Sequence, residues 1–189
     1  MAGYLTDYKY YSIGDLDRSK KAAQFLKDKR VIFLDRDGVI NKKAPKSDYI
    51  KKWSEFEFLE DSIEALKILC KENYQIFIIT NQAGIARGIM RLQDLELIHR
   101  NMKKELKKNG IKISGIYFCP HGWDEGCDCR KPKPGLLYKA ADENFIDLTK
   151  TVFIGDDIRD KQTGDAAGVK TILVTRKKSL LKIVSFLTK

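Results

Sequence analysis

Histidine is nearly missing from this 189-residue chain, which has two, alongside four prolines, four cysteines and two tryptophans. No apolar run approaches the ~20 residues of a membrane-spanning helix, and residues 1–11 are too polar for a secretory signal peptide. Internal repeats and low-complexity segments are absent as well. These absences exclude a helical membrane protein and a repeat array, and they make the cytoplasm the expected compartment. Acidic residues are outnumbered 26 to 36 by lysine and arginine, giving a net charge of +10. Such a balance can serve a nucleic acid, a membrane surface or a small anionic substrate. Here the lysines spread along predicted helices (Lys103, Lys104, Lys107, Lys108) and the chain ends with little aromatic interleaving, so most are read as solvated faces and a nucleic-acid partner is not expected.

What the chain does have is organised around residues 31–41, V-I-F-L-D-R-D-G-V-I-N. Four apolar residues run straight into Asp35, an arginine, Asp37 and a glycine, as a buried parallel strand does at the carboxyl edge of a sheet. That edge is where open α/β sheets bind ligands. Side chains of an extended segment alternate with a period of two, so Asp35 and Asp37 can be aimed into one small volume, and Gly38 lets the backbone turn away. Two carboxylates so close call for a cation, and an oxygen-only pair suits Mg²⁺ shared with a substrate phosphate. A plain Asp-Gly turn explains Asp37 and Gly38 but leaves Asp35 without a reason.

Further strands are predicted at 74–80, 115–119, 151–154 and 170–174, and helices at 61–72, 92–108, 136–144 and 178–187, with Gly110 closing the second. The alternation gives one α/β domain, a doubly wound parallel sheet of Rossmann type. Residues 42–53, polar and carrying Pro45, read as a flap over the first strand end. Cys70 is read as a core residue and His99 as a surface residue. Polar clusters end the first four strands, and on one parallel sheet they converge on one crevice. Thr80 and Asn81 offer a hydroxyl and an amide, Lys131 a point charge, and Asp156 and Asp157 further carboxylates; these are the parts that phosphoryl transfer needs.

With those residues in place the chain resembles the haloacid dehalogenase superfamily of phosphatases. Its C-x-H, C-D-C-R-K-P and T-N-Q-A-G-I-A-R-G segments resemble the D-glycero-D-manno-heptose 1,7-bisphosphate phosphatase subfamily, with histidinol-phosphate phosphatases as near relatives. The resemblance covers residues 30–175 and implies a haloacid dehalogenase-like fold and magnesium-dependent hydrolysis of a sugar bisphosphate in heptose biosynthesis for lipopolysaccharide or capsule. It implies Asp35 as nucleophile, Asp37 as general acid and base, and Thr80 and Lys131 as holders of the phosphoryl group. Asn81, Arg87 and Arg130 are expected on the substrate side. Magnesium is expected between Asp35, Asp37 and Asp156, helped by Asp157. Two stretches depart from the subfamily: K-K-A-P-K-S-D between Asn41 and Tyr49, and a short loop between His121 and Cys127. A nucleic-acid 3′-phosphatase and an inactive module remain as competing readings.

Cys119, His121, Cys127 and Cys129 form a C-x-H-x5-C-x-C set that matches a closed tetrahedral zinc site, against the alternative of free thiols with one disulfide. Four protein ligands leave no position for water, so this zinc is expected to be structural and to fix the loop delivering Arg130 and Lys131. Substrate selection is expected from the flap and this loop, since no insertion is long enough for a cap domain. Residues 1–29 are set apart from the 30–189 domain as a leader. Its Y-Y-S-I-G-D-L turn and the helical spacing of residues 19–29 resemble the tail of sugar nucleotidyltransferases, a possible fused or partner module, and equally fit an N-terminal helix packed on the domain.

Overall fold

Each apolar run that the sequence marks as a strand is one in the computed structural model, which describes residues 29–45 and 48–188 together with Asp17. The strands are β1 (Arg30–Leu34), β2 (Tyr74–Asn81), β3 (Ile113–Cys119), β4 (Val152–Gly155) and β5 (Lys170–Leu173). They form one sheet in the order β3-β2-β1-β4-β5, parallel throughout. The order reverses direction at β1, which pairs with β2 on one side and β4 on the other. Loops leaving β1 and β4 therefore diverge and open a crevice between them.

Alternation along β1 sends Ile32 and Leu34 to one face and Val31 and Phe33 to the other, and all four are buried. On the first face they meet α1 (Ser62–Lys71), α2 (Leu92–Lys108) and α5 (Leu180–Leu187) through Leu66, Leu69, Ile98, Met102 and Ile183. On the second they meet α3 (Gly135–Asn144) through Leu136, Leu137 and Ala140. A further helix, α4 (Ile158–Ala167), joins β4 to β5 and was not among the predicted elements. Its sequence IRDKQTGDAA has no apolar stripe; it packs through small and polar residues, with Thr163 and Gly164 buried, and a Cβ on Gly164 would collide with the Thr171 hydroxyl.

Two boundaries position the site. After α2, Gly110 takes φ +75° and the Ile111 amide returns to the Leu106 carbonyl at 3.0 Å, the glycine-terminated helix end that the sequence indicated. The flap leaving β1 is pinned at its base, where Lys42 N donates to Glu57 O at 2.8 Å and Leu59 N to Ile40 O at 3.0 Å. Trp53 stacks on Phe56 beside it, with ring centroids 4.9 Å apart. The leader, its expected helix and its nucleotidyltransferase-like turn lie outside the described residues, as does Lys46. Among the described residues no helix is long and apolar enough to cross a membrane.

Candidate active site

Asp35 stands at the end of β1, and its Oδ1 accepts from the Arg36 amide at 2.7 Å. The same oxygen lies 2.9 Å from the Lys131 ammonium, while Oδ2 receives no hydrogen bond among the described residues. Burial raises the Asp35 carboxyl well above the ordinary carboxylate range, and the pull of Lys131 only partly offsets that. Asp37 is partly exposed and densely bonded. Arg36 holds it in a two-pronged grip, Nη2 lying 3.0 Å from Oδ1 and 2.9 Å from Oδ2. Asn41 Nδ2 and Gln82 Nε2 add a bond to each oxygen, both at 2.9 Å. Burial works to raise this carboxyl as well, but Arg36 and the amide donors overcome it and hold Asp37 below the usual range. Gly38, at φ +93°, passes so close to Asp156 that a Cβ there would strike the carboxylate.

The end of β4 contributes the opposite wall. Asp156 is followed by Asp157, which caps α4 by accepting from Arg159 N at 3.0 Å and pairs with the Arg159 side chain at 2.9 Å. That arginine holds the Asp157 carboxyl far below the usual range. One turn into α4, Asp160 is buried, and its Oδ2 accepts from the amides of Asp156 and Asp157 at 2.9 and 3.0 Å. Its other oxygen lies 2.6 Å from Lys131 Nζ. Lys131 is itself buried, reaches the Ile79 carbonyl at 3.2 Å, and is kept charged by Asp35 and Asp160 against the cost of desolvation. From β2, Thr80 Oγ1 accepts from Gln82 Nε2 at 2.9 Å, which leaves its hydroxyl hydrogen free to turn to the cleft.

A divalent cation fits here. Carboxylate oxygens of Asp35, Asp156 and Asp160 lie within 4.8 Å of one another. Asp156 Oδ1 is buried without a hydrogen-bond partner among the described residues, and burial raises the Asp156 carboxyl, so this oxygen lacks the positive charge it needs. Of the four carboxylates expected around magnesium, Asp35 and Asp156 gather. The Asp37 side chain is taken by Arg36, Asn41 and Gln82, and that of Asp157 by its cap and Arg159.

Cys119, His121, Cys127 and Cys129 meet at the end of β3, all three thiols free of disulfides. Cys119 Sγ lies 3.7 Å from Cys127 Sγ, which lies 3.6 Å from Cys129 Sγ; His121 Nδ1 is 3.2 Å from Cys129 and 3.5 Å from Cys119. Metal–sulfur bonds of about 2.3 Å in a tetrahedron put the sulfurs about 3.8 Å apart, so the four atoms hold the corners of a closed metal site, consistent with zinc. Arg130 follows the last cysteine and donates to the His121 carbonyl at 3.1 Å.

These residues line a cleft of about 600 Å³, walled by the flap on one side and the Cys/His loop on the other. The Arg87 guanidinium lies between the walls, 5.8 Å from the centroid of Tyr49 on the flap and 5.5 Å from that of Trp123 on the loop. Every expected site residue therefore reaches the cleft or the metal cluster beside it. Asn81 does so with both polar atoms already engaged by the Lys131 backbone. Three participants were not expected: Asp160, Gln82 and His99. His99 corrects the reading as a surface residue, being 8% exposed with Nε2 3.1 Å from Arg36 Nη1.

The model of the polynucleotide kinase 3 phosphatase family matches residues 30–180. The chain belongs to this family of phosphatases. Its fold and relatives place it in the haloacid dehalogenase superfamily, in the heptose 1,7-bisphosphate phosphatase subfamily. A Campylobacter jejuni relative named D-glycero-alpha-D-manno-heptose-1,7-bisphosphate 7-phosphatase is 44% identical over 77% of this chain and 81% of its own length. A Pseudomonas aeruginosa relative, named for the beta anomer, is 40% identical over 76% of this chain and 80% of its own. The crystal structure of the D,D-heptose 1,7-bisphosphate phosphatase of B. bronchiseptica, complexed with magnesium and phosphate, is similar at a TM-score of 0.79 and 32% identity, covering 84% of this chain and 97% of that one. The chain is thus a phosphoric monoester hydrolase of the haloacid dehalogenase type.

Proposed function

We propose that the chain removes the 7-phosphate of D-glycero-D-manno-heptose 1,7-bisphosphate, keeping the 1-phosphate for later nucleotidyl activation, and acts in the cytoplasm. One observation on the chain carries this reading. Arg87 and Arg130 line the cleft with no carboxylate partner among the described residues, although carboxylates are plentiful nearby. Lys131 and Thr80 provide for the phosphoryl group under attack, so two further guanidiniums fit a second anionic end better than a plain monoester.

Asp35 attacks phosphorus through Oδ2, which needs no prior deprotonation once ionised, and the bond from phosphorus to the sugar oxygen breaks as phosphoryl-aspartate forms. Lys131 and the Thr80 hydroxyl hold the equatorial oxygens as charge develops on them. Asp37 gives a proton to the departing oxygen and later takes one from the water that attacks the acyl phosphate. At rest it is poised as the base. A phosphate brought beside it shifts it toward the protonated form, because like charges favour the neutral acid. Asp35 and Asp156, with the Asp37 segment and Asp157 close by, would hold magnesium, which when bound would supply the charge that lets carboxylates and phosphate share one volume. Cys119, His121, Cys127 and Cys129 would hold zinc, which would fix the loop carrying Arg130 and Lys131.

The test is phosphorus NMR of the products from both heptose bisphosphate anomers, with histidinol phosphate and a 3′-phosphorylated duplex as competitors. Loss of the 7-phosphate signal alone, at the highest specificity constant, is expected, and Asp35→Asn should abolish turnover while leaving the fold intact. A higher specificity constant for either competitor would overturn the substrate, and near-normal turnover by Asp35→Asn would overturn the covalent route.

A further inference from the structure

Arg36 is the largest fully buried side chain among the described residues, and its exposure is 0%. A buried guanidinium must place its donors, and this one does so in two directions. Nε and Nη2 turn to Asp37, at 3.3 Å and at 3.0 and 2.9 Å. Nη1 turns to Nε2 of His99, 63 residues further along, at 3.1 Å. Arginine has no acceptor atom and stays charged, so Nε2 must present a lone pair and the ring must carry its hydrogen on Nδ1. Burial, then the neighbouring Arg36 charge, pushes the imidazole down to about 3, in keeping with that neutral form. The ring is set in turn, edge to face with Phe118 at 5.7 Å between centroids, on the rigid helix α2.

We infer that His99 is a positioning residue for the reaction: by fixing the far side of the Arg36 guanidinium it sets the plane in which Asp37 meets the departing oxygen. Asp37 is the only side chain on the other side of that guanidinium among the described residues, so rotation of Arg36 turns the carboxylate with it. Asn41 and Gln82 each hold one oxygen of Asp37 and neither fixes its plane by itself, whereas Arg36 contacts both oxygens. The inference rests on the reading of Asp37 as the proton carrier.

That dependence shapes the experiment. General acid assistance matters for a poorly departing sugar alkoxide and little for p-nitrophenolate, whereas hydrolysis of the phosphoryl-aspartate, with Asp37 as base, is common to both esters, so release of the alcohol in a single turnover is measured for each with purified full-length protein. His99→Leu is expected to lower the single-turnover rate of sugar release by roughly 10- to 100-fold with the half-saturating substrate concentration within about twofold, and the rate of p-nitrophenolate release by less than about threefold. His99→Gln, whose amide oxygen can stand where Nε2 stood, should restore the rate of sugar release to within about threefold of the parent. Nitrogen NMR of the parent protein should show Nε2 without a proton down to pH 5. Equal losses on both esters in His99→Leu, a glutamine variant no better than leucine, or a protonated Nε2 at pH 6 would each overturn the inference. Asp37→Asn separates the two levels: if it slows single-turnover alcohol release equally from both esters, the proton-carrier reading falls and this inference with it, whereas a selective loss there with an unselective His99→Leu overturns this inference alone.

Discussion

Asn81 grips the main chain of Lys131 from both ends of its amide, Oδ1 accepting from Lys131 N and Nδ2 donating to Lys131 O, each at 3.1 Å. A residue at the tip of β2 thus fixes the backbone of a loop residue 50 positions away, whose ammonium then bridges Asp35 and Asp160. Asn81→Ala leaves a half-buried amide and carbonyl unpaired, costing about 1–3 kcal/mol of stability. Because the ammonium is displaced with its backbone, kcat should fall by roughly tenfold or more while the Asp35 environment stays folded. Denaturant titration and steady-state kinetics on the same preparation check this. An unchanged kcat would mean that Lys131 is held by its ion pairs alone.

The Cys/His loop is the second support for Lys131. Elemental analysis should find about one zinc per chain, since the four donor atoms already stand at tetrahedral spacings. Chelation, or Cys127→Ser, should expose the segment around residues 119–135 to proteolysis and lower both melting temperature and activity together, because metal binding here is folding energy. A protein that keeps full activity and stability without the metal would contradict a supporting role for the loop.

Strand ends were legible because two signals coincide there, an apolar run that stops and chemistry-bearing residues that begin. Asp35, Asp37, Thr80 and Asp156 were found in that way. Asp160 was missed although it lies in the same G-D-D-I-R-D segment, because α4 has no apolar stripe and so was not read as a helix. Once Asp157 is seen as its cap, a residue three positions on faces back to the strand end, and Asp160 does so. His99 carried a readable signal. It falls with Leu95, Ile98, Met102 and Leu106 on one helical face, and that face is the buried one. Its partner was not legible, since nothing in local spacing reveals a contact with a buried arginine across 63 positions.

His99 also gives the stability of the protein a defined pH dependence. Its ordinary value is 6.5 when unfolded and about 3 when buried beside Arg36. Between those values the unfolded chain binds a proton that the folded chain refuses, so this contribution to stability is complete above pH 6.5 and declines as the pH falls, by up to about 1.4 kcal/mol per pH unit. Thermal melts of parent and His99→Gln from pH 7.5 to 4.5 should show a shallower acid limb for the variant. Parallel curves would place the acid sensitivity elsewhere.

The last prediction concerns Lys43, whose ammonium lies 2.6 Å from Asp156 Oδ2. That carboxylate is half-buried beside Asp35 and Asp160, and its other, buried oxygen has no partner among the described residues, so Lys43 supplies part of the charge that a divalent ion would supply. The lysine side chain is half exposed and belongs to the flap, and it can therefore withdraw without disturbing the sheet. Two cations on one carboxylate repel each other even from separate oxygens, so magnesium taken up at Oδ1 weakens the Lys43 pair at Oδ2. Lys43→Met should consequently bind magnesium roughly fivefold or more tightly by calorimetry without substrate, and the metal-free variant should melt lower than the parent. Removing any nearby positive charge strengthens cation binding somewhat, so Lys42→Met is the control: Lys42 pairs with Glu57 at the flap base, away from the carboxylate cluster, and its loss should change the affinity by less than about twofold. With substrate the order should invert, because the freed ammonium sits on the wall that meets the bisphosphate, and Lys43→Met should raise KM. Magnesium affinity equal in the two variants would show that Lys43 acts only as diffuse charge, and an unchanged KM would remove it from the substrate wall.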